Sequence, residues 1–202
     1  MYKNFIKPFF DFLIALFLLI ILSPIVIITA ILLFFTNHGL VLFMQQRPGL
    51  NCKPFNIIKF KTMRDSFFKN GQPLPDDERL TKIGKLIRST SIDELLQLIN
   101  VIKGEMSLIG PRPLMMQYIS RYNSHQIKRQ NVKPGITGWA QVNGRNSIKW
   151  DEKFFFDVEY VEKISFMLDI KILYLTFFNV IKRDGINTTN NTIMEEFMGN
   201  GN

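Results

Sequence analysis

Two adjacent carboxylates, Asp93 and Glu94, are the residues of this sequence best suited to do chemistry. Ser91 stands three residues before Glu94, which is the spacing of a capping box, so the pair could do no more than start a helix. In the first turn of a helix, unpaired backbone N–H groups and the helix dipole favour the carboxylate form and can also hold an anion. An ionised aspartate is a competent nucleophile toward phosphorus, and two neighbouring carboxylates can hold a Mg2+ ion that shares substrate phosphates. The pair therefore indicates either phosphate chemistry or a well-capped helix.

Basic residues held in constrained backbone could supply positive charge to a phosphate group. The negative charge of a transferred phosphate must be stabilised, and the fork of an arginine guanidinium binds two phosphate oxygens at once. Arg112 is the strongest of these residues, because Pro111 and Pro113 flank it and make the local backbone rigid. The alternative for each basic residue is a solvated surface charge. The candidates for holding phosphate are Lys59, Arg88, Arg112 and Arg145, with Asp157 as a weaker supporting candidate.

The composition indicates an anionic partner without choosing one. The 202 residues carry 25 Lys and Arg against 17 Asp and Glu, a net charge of +8, and 47% of them are hydrophobic. Such an apolar excess excludes a disordered chain, and the charge suits nucleic acid, an acidic membrane face or a phosphorylated substrate. A single cysteine, Cys52, excludes an intrachain disulfide and a cysteine-built zinc site. The positions of the apolar residues along the chain are therefore needed to tell which of these partners is expected.

A membrane-grade apolar run occupies residues 12–35, interrupted by Ser23, Pro24 and Thr29. As one straight helix it would be about 36 Å long, enough to cross a hydrocarbon core of roughly 30 Å. Ser23-Pro24 falls in the middle, however, and proline there could bend the run into a re-entrant hairpin that returns to the same face. The run ends without a signal-peptidase cleavage pattern and is expected to be retained. A kinked spanning helix and a re-entrant hairpin both remain open on these grounds.

The other elements must position the carboxylates and the basic residues. Extended stretches are predicted at residues 41–44 and 54–63, and helices at residues 80–88, 92–103, 149–162 and 166–182. Residues 166–182 fit either an amphipathic helix on an anionic membrane or a core helix. A polar loop is predicted at residues 69–78, turns at 110–113, 134–138 and 143–146, and a loose polar tail at 187–202.

Five ordered motifs together resemble the bacterial sugar transferases, the small monotopic phosphoglycosyl transferases that act on polyprenol phosphate. The resemblance covers the chain from Lys3 to about Asp184, with small departures at Glu105 and in the Asn-rich tail. It implies a mixed α/β, helix-rich fold with interfacial amphipathic helices and a re-entrant N-terminal hairpin. The motifs are Ser23-Pro24 and residues 60–63, 91–95, 106–113 and 133–146.

The resemblance also implies a reaction. Asp93 would attack the β-phosphate of a UDP-sugar, release UMP and carry the phosphosugar until undecaprenyl phosphate accepts it. Glu94 would complete the dyad, either by helping Asp93 to bind Mg2+ or by activating the acceptor phosphate. Arg112 and Arg145 would hold the phosphates of nucleotide or acceptor. The supporting residues would be Lys59, Arg88 and Asp157.

The expected organisation follows from the same resemblance. Residues 1–36 would form the re-entrant membrane helix, residues 37–184 the catalytic domain and residues 185–202 a polar tail. The protein would act on the cytoplasmic face of the bacterial inner membrane, against anionic lipids, in the first membrane step of N-glycan, O-antigen or capsule synthesis. Its donor could be UDP-N,N'-diacetylbacillosamine, since the chain resembles a bare catalytic core. A homodimer or pathway glycosyl transferases are the expected protein partners, and nucleic acid is not expected, because the basic residues are dispersed.

Two other functions are compatible with parts of the sequence. A membrane-tethered scaffold could hold anionic lipid on its basic face, but it would leave the carboxylate pair with no role beyond capping a helix. A glycosyl transferase that moves sugar without phosphate would release UDP instead of UMP. The nucleotide product therefore separates the three hypotheses.

Overall fold

The N-terminal apolar run folds as two helices separated by one residue. A π-helical turn at Tyr2–Ile6 leads into α1 (Lys7–Ile21), and α2 (Ser23–Thr36) follows. By length and composition, the helical stretch Tyr2–Ile21 is sufficient to cross a membrane, whereas α2 is shorter. The computed structural model describes residues 1–64, 68–69, 72–73, 79–144, 148–182 and 196–199.

The break between the two helices lies where the sequence predicts it. Leu22, between the two helices, has φ −85° and ψ 0°, and this ψ departs from the value of about −42° in a regular α-helix. Pro24 has no N–H to donate to the carbonyl of Ile20, and the Ser23 hydroxyl donates to that carbonyl instead at 2.7 Å. The backbone acceptor is therefore satisfied at a site surrounded by apolar residues, as a break at membrane depth requires.

Both apolar helices contact the rest of the protein. At the start of α1, Lys7 Nζ lies 2.8 Å from the carboxylate of Asp169, and Asp11 accepts a hydrogen bond from the Ser107 hydroxyl at 2.6 Å. Near the end of α2, Leu33 is fully buried in a cluster that includes Ile58. The N-terminal segment is therefore attached to the same body at both of its outer ends.

Three two-stranded sheets occur among the described residues. The strands β1 (Leu42–Pro48) and β2 (Pro54–Phe60) pair antiparallel, with Leu42 opposite Phe60. A short antiparallel pair follows, β3 (Phe68–Lys69) with β4 (Gln72–Pro73). Apart from Phe68, its residues belong to the loop predicted at residues 69–78, whose other residues lie outside the described ones. The third pair, β5 (Ser107–Ile109) and β6 (Gly135–Thr137), is parallel.

Five further α-helices occur among the described residues. Those predicted at residues 80–88, 149–162 and 166–182 are found with ends that differ by at most two residues. Together with the strands they confirm a mixed α/β, helix-rich fold. They are α3 (Lys82–Ser89), α4 (Gln97–Ile102), α5 (Trp139–Val142), α6 (Trp150–Lys163) and α7 (Phe166–Lys182).

The helix predicted at residues 92–103 is not continuous. A 3-10 turn at Ile92–Glu94 comes first, and α4 begins only at Gln97. The predicted capping box is wrong, because Ser91 has a φ of 57° and its side chain makes no capping hydrogen bond. A capping serine needs extended backbone to aim its hydroxyl at the first turn, and left-handed backbone does not provide it.

Helix α7 turns an apolar surface outward. Asp169 and Ile172 are buried, whereas Met167 is 74% exposed and Tyr174 and Phe177 are each 62% exposed. Most large apolar side chains of α1 and α2 are also exposed. Apolar surface of this extent marks an interaction surface rather than a face in contact with water.

Candidate active site

Asp93 lies at the centre of the candidate site, in the 3-10 turn between α3 and α4. The preceding Ser91 is left-handed, so the chain turns sharply before it reaches Asp93. Asp93 is 8% exposed, and with the described residues its carboxylate forms no hydrogen bond or ion pair. A three-residue turn also has only a small helix dipole, so it does little to stabilise the Asp93 carboxylate. The Asp93 side chain is thus a confined carboxylate.

Glu94, next to Asp93, has the opposite environment. Its Oε1 accepts hydrogen bonds from Lys59 Nζ and from Arg112 Nη2, each at 2.7 Å. Lys59 comes from β2 and Arg112 from the loop after β5, so Glu94 joins three parts of the chain. Although burial opposes its ionisation, the charges of Arg112 and Lys59 hold the pKa of Glu94 well below its ordinary range.

The two carboxylates therefore differ in charge state at mildly acid pH. Burial, and then the charge of Glu94, raise the pKa of Asp93 to about 6, while Lys59, Arg88 and Arg112 oppose the rise. The expectation that the first turn favours the carboxylate form of Asp93 is wrong, because desolvation and the neighbouring Glu94 outweigh the positive charges. Paired titratable groups whose pKa values are pushed apart are typical of sites that do acid, base or nucleophilic chemistry.

Three of the predicted basic residues lie near the dyad. Lys59 and Arg112 contact Glu94 directly, and Arg88, exposed at the end of α3, is close enough for its charge to act on Asp93. The Arg112 side chain is 48% exposed, so its guanidinium remains accessible to a ligand while it holds Glu94. Arg145 lies outside the described residues.

The loop that carries Arg112 is fixed by close backbone packing. Gly110 N–H donates to the Thr137 carbonyl at 2.9 Å, and Gly135 N–H donates to the Pro111 carbonyl at 3.0 Å. A methyl group on Gly135 would overlap the nitrogen of Gly110. The two predicted turns at residues 110–113 and 134–138 thus form one unit, and glycine is needed where their backbones meet.

Asp157 does not contact the dyad and is instead linked to the loop that carries Arg112. On α6 it pairs with Arg129, whose Nη2 lies 2.8 Å from Asp157 Oδ2, and both side chains are at most 2% exposed. The same Nη2 donates to the backbone carbonyl of Arg112 at 2.7 Å. Asp157 therefore reaches the site through Arg129, a residue that the sequence did not single out because nothing local distinguishes it from a surface arginine.

Arg47 is a second residue missed from the sequence. It lies on β1, where its Nη2 donates to Gln45 Oε1 at 2.6 Å, and it forms no ion pair with a carboxylate among the residues described. Burial and the nearby charge of Arg112 lower the pKa of Arg47. On β1 it lies on the same sheet face as Phe43, the residue opposite Lys59. Side chains alternate between the two faces of a strand, and this period was the one signal in the sequence that could have predicted that Arg47 shares a sheet face with Lys59.

The dyad could hold a metal ion only with ligands from a substrate. No group of three or more potential ligand side chains occurs within the described ranges. Glu94 Oε1 already receives two charged donors, but its Oε2 has only a longer contact of 3.5 Å with Arg112. Because Mg2+ usually takes one or two carboxylates together with substrate phosphates, Asp93 and Glu94 Oε2 fit that pattern.

Comparison with known proteins places the whole dyad region in one family. The family described as bacterial sugar transferase matches residues 2–183, which include all five motifs. EpsL, an uncharacterized sugar transferase of Bacillus subtilis (strain 168), is 51% identical over 196 residues, 97% of each chain.

Two further relatives have more informative names. The UDP-glucose:undecaprenyl-phosphate glucose-1-phosphate transferase of Escherichia coli (strain K12) is 38% identical over 180 residues, which are 83% of this chain and 38% of that enzyme. The exopolysaccharide production protein ExoY of Sinorhizobium fredii (strain NBRC 101917 / NGR234) is 35% identical over 187 residues, 84% of this chain and 83% of the relative. The match thus extends over nearly all of some relatives and over less than half of others.

Proposed function

This chain belongs to the bacterial sugar transferase family, and from that membership we propose that it transfers a sugar 1-phosphate from a UDP-sugar to undecaprenyl phosphate, releasing UMP. The observation that carries the proposal is the inequivalent dyad. Asp93 is confined and forms no hydrogen bond or ion pair with the residues that the structure describes, whereas Glu94 is held by two cations. Relatives with this reaction in their names support the substrate classes.

The reaction proceeds in two displacements at the β-phosphorus, with Asp93 as nucleophile in the first and as leaving group in the second. In the first, an Asp93 carboxylate oxygen attacks the β-phosphorus, and the bond from that phosphorus to the bridging oxygen breaks, so that UMP leaves with the electron pair. In the second, a phosphate oxygen of undecaprenyl phosphate attacks the same phosphorus and Asp93 is released. Arg112, Lys59 and Arg88 supply the positive charge that both displacements need. Confinement of Asp93 leaves its ionised form poorly solvated and thus reactive toward phosphorus.

Glu94 acts mainly by holding Lys59 and Arg112 in place. A carboxylate whose pKa is well below the ordinary range is a weak base, and an acceptor phosphate is already ionised near neutral pH. Two cations on one carboxylate oxygen are instead well suited to present their remaining donors to a diphosphate. The resemblance leaves open whether Glu94 helps Asp93 to bind Mg2+ or activates the acceptor phosphate, and the low basicity of Glu94 argues against the second of these roles.

Mg2+ is the proposed cofactor, held by Asp93 and Glu94. When bound, the ion would neutralise charge on the diphosphate of the donor. Removal of divalent cations with EDTA should abolish UMP release, and added Mg2+ should restore it. Full activity in EDTA would contradict the metal assignment while leaving the nucleophile assignment open to its own test.

A covalent adduct is the sharpest test of the reaction. Enzyme incubated with a UDP-sugar alone should gain the mass of a phosphosugar on Asp93, and Asp93→Asn should gain none. The donor panel should include UDP-N,N'-diacetylbacillosamine, UDP-glucose and UDP-galactose, with UMP and UDP measured separately. An active Asp93→Asn variant, or UDP as the product, would contradict the proposal; no turnover with any donor would favour a scaffold.

We also propose a re-entrant arrangement of α1 and α2 on the cytoplasmic face of the bacterial inner membrane. The run is broken at Leu22, α2 is too short to cross alone, and both helices contact the same body. Asn37 is buried, so the exposed His38 is the better position for a labelling cysteine, placed in a Cys52→Ser background. A thiol reagent applied from the periplasmic side should leave it unlabelled, and periplasmic labelling would refute the hairpin.

A further inference from the structure

Residues 196–199 lie against the body of the protein, although the sequence predicts a loose polar tail there. Phe197 is 3% exposed, whereas its neighbour Met198 is 77% exposed. These residues lie outside the region matched to the family, residues 2–183. The burial of Phe197 therefore calls for a role that the family match does not describe.

Polar contacts hold this segment on the 3-10 helix Met116–Arg121, which follows the Arg112 loop. Arg121 Nη1 donates to Glu196 Oε1 at 2.9 Å and also to the carbonyl of Phe197. Gln117 Nε2 donates to the same carboxylate oxygen at 2.5 Å, and the Phe197 N–H donates to the Tyr118 hydroxyl at 3.4 Å. The Glu196 side chain and the Phe197 backbone are thus both bonded to that helix.

The Phe197 ring completes a cluster of five aromatic side chains. Its centroid lies 4.9 Å from that of Phe154, 5.5 Å from Trp150, 5.7 Å from Tyr118 and 6.0 Å from Tyr122. These distances are those of favourable aromatic pairs. Because Phe197 contacts all four other rings, its removal would open a cavity in the middle of the cluster.

The same cluster supports the arginine below the Arg112 loop. The Arg129 guanidinium lies 5.8 Å from the Tyr122 ring centroid and 5.9 Å from that of Phe154. Its Nη2 bonds both the Asp157 carboxylate, at 2.8 Å, and the carbonyl of Arg112, at 2.7 Å. A continuous set of contacts therefore runs from the Phe197 ring to the backbone of Arg112.

We propose that Phe197 is a positioning residue, whose ring completes the aromatic cluster that keeps Arg129, and through it the backbone of Arg112, in place to bind phosphate. The effect on turnover rests on the proposed function, whereas the effect on the position of the loop does not. A misplacement of about 1 Å from a distant mutation can lower a rate by about 100-fold. Phe197→Ala should therefore lower kcat/KM for the UDP-sugar by about 10- to 100-fold.

Hydrogen exchange tests the positional effect without any substrate. The amide of Gly135 donates to the Pro111 carbonyl at 3.0 Å, so its protection reports the position of the loop. Phe197→Ala should speed exchange at Gly135 and along Met116–Arg121 but leave β1 and β2 unchanged. The matched control is Met198→Ala, which removes an exposed side chain of the same segment. Phe197→Leu, which keeps more of the volume, should show a smaller change in the same places.

A double-mutant cycle with Arg112→Lys tests the link to phosphate binding. If Phe197 acts through Arg112, Phe197→Ala should cost little further activity once Arg112 has been replaced, so the two effects should not add. Additive effects, unchanged exchange at Gly135, or a uniform rise in exchange across the whole protein would each overturn the proposal. Wild-type protein without turnover would count against the proposed function, and the exchange result would still decide whether Phe197 positions the loop.

Discussion

At the scale of single residues, the contrast between Asp93 and Glu94 defines the site. Glu94 is stabilised in its ionised form by Lys59 and Arg112, whereas the ionised form of Asp93 is held in a confined position beside another negative charge. Asp93 and Glu94 are adjacent in the sequence, and nothing in the sequence predicts that their environments differ. Their difference arises from β2 and from the loop after β5, which are distant in the chain and both deliver their cations to Glu94.

The first prediction concerns the stability of Asp93→Asn. The folded protein binds a proton on Asp93 up to about pH 6, above the ordinary pKa of 3.8, so ionising Asp93 destabilises the fold as pH rises through that interval. Asp93→Asn should therefore raise the unfolding free energy at pH 7.5, by about 3 kcal/mol at most. Glu94→Gln should lower it, because Lys59 and Arg112 would both lose the carboxylate that they contact. Thermal unfolding of both variants measures this, and two changes of the same sign would contradict it.

The second prediction is a pH profile for the formation of the phosphosugar adduct. Only ionised Asp93 can attack phosphorus, so the rate should fall tenfold per pH unit well below about pH 6. Because the charge of Arg88 lowers the pKa of Asp93, Arg88→Gln should move the midpoint to higher pH. Lys85→Gln, an exposed change on the same helix, should leave it where it was. A midpoint near pH 4 in the wild-type protein would show that burial of Asp93 has no such effect.

At the scale of elements, α6 supports the Arg112 loop through one buried ion pair. Asp157 and Arg129 are at most 2% exposed, and Arg129 also bonds the Arg112 carbonyl. Removing one partner from a buried pair leaves an uncompensated charge, whereas replacing both by apolar residues is often close to neutral. The pair can therefore be tested separately for stability and for its effect on the loop.

The third prediction uses that separation. Asp157→Ala should lower the free energy of unfolding by about 3–5 kcal/mol, since Arg129 would remain charged and buried. The double variant Arg129→Met with Asp157→Leu should recover most of that stability. Its UMP release should remain low, because methionine cannot donate to the Arg112 carbonyl. Denaturant unfolding and a turnover assay on both variants test this prediction. Full activity in the stable double variant would exclude a role for Arg129 at the loop.

Elements with a strong periodic pattern could be predicted from the sequence, and the joints between them could not. The helix at Phe166–Lys182 was predicted with both of its ends, because its apolar residues follow helical spacing throughout. The helix predicted at residues 92–103 is interrupted: it starts with a 3-10 turn after the left-handed Ser91 and becomes α-helical only at Gln97. Arg129 and Asp157 are 28 residues apart, and no local pattern reveals such a pair. The docking of Phe197 is likewise a tertiary contact.

At the scale of the whole molecule, the apolar helices, the exposed side of α7 and the positive net charge all suit an anionic membrane surface. The net charge is +8, and α7 exposes Met167, Tyr174 and Phe177 on a helix whose buried residues include Asp169. An amphipathic helix binds an interface through its apolar area and through attraction to anionic lipids. If α7 lies in the interface, it sets the depth at which the dyad meets a lipid-linked phosphate.

The last prediction is therefore a change in membrane affinity from one residue of α7. Burying a Phe side chain is worth about 1.5–3 kcal/mol, so Phe177→Glu should weaken partitioning into vesicles with anionic lipid by about tenfold or more. The control is Met198→Glu, which adds the same charge at a position that is 77% exposed and outside α7. Flotation with vesicles measures the bound fraction, and raised salt should weaken wild-type binding further, because the charge attraction is screened. Equal loss in both variants would mean that added charge alone weakens binding and that α7 does not enter the interface.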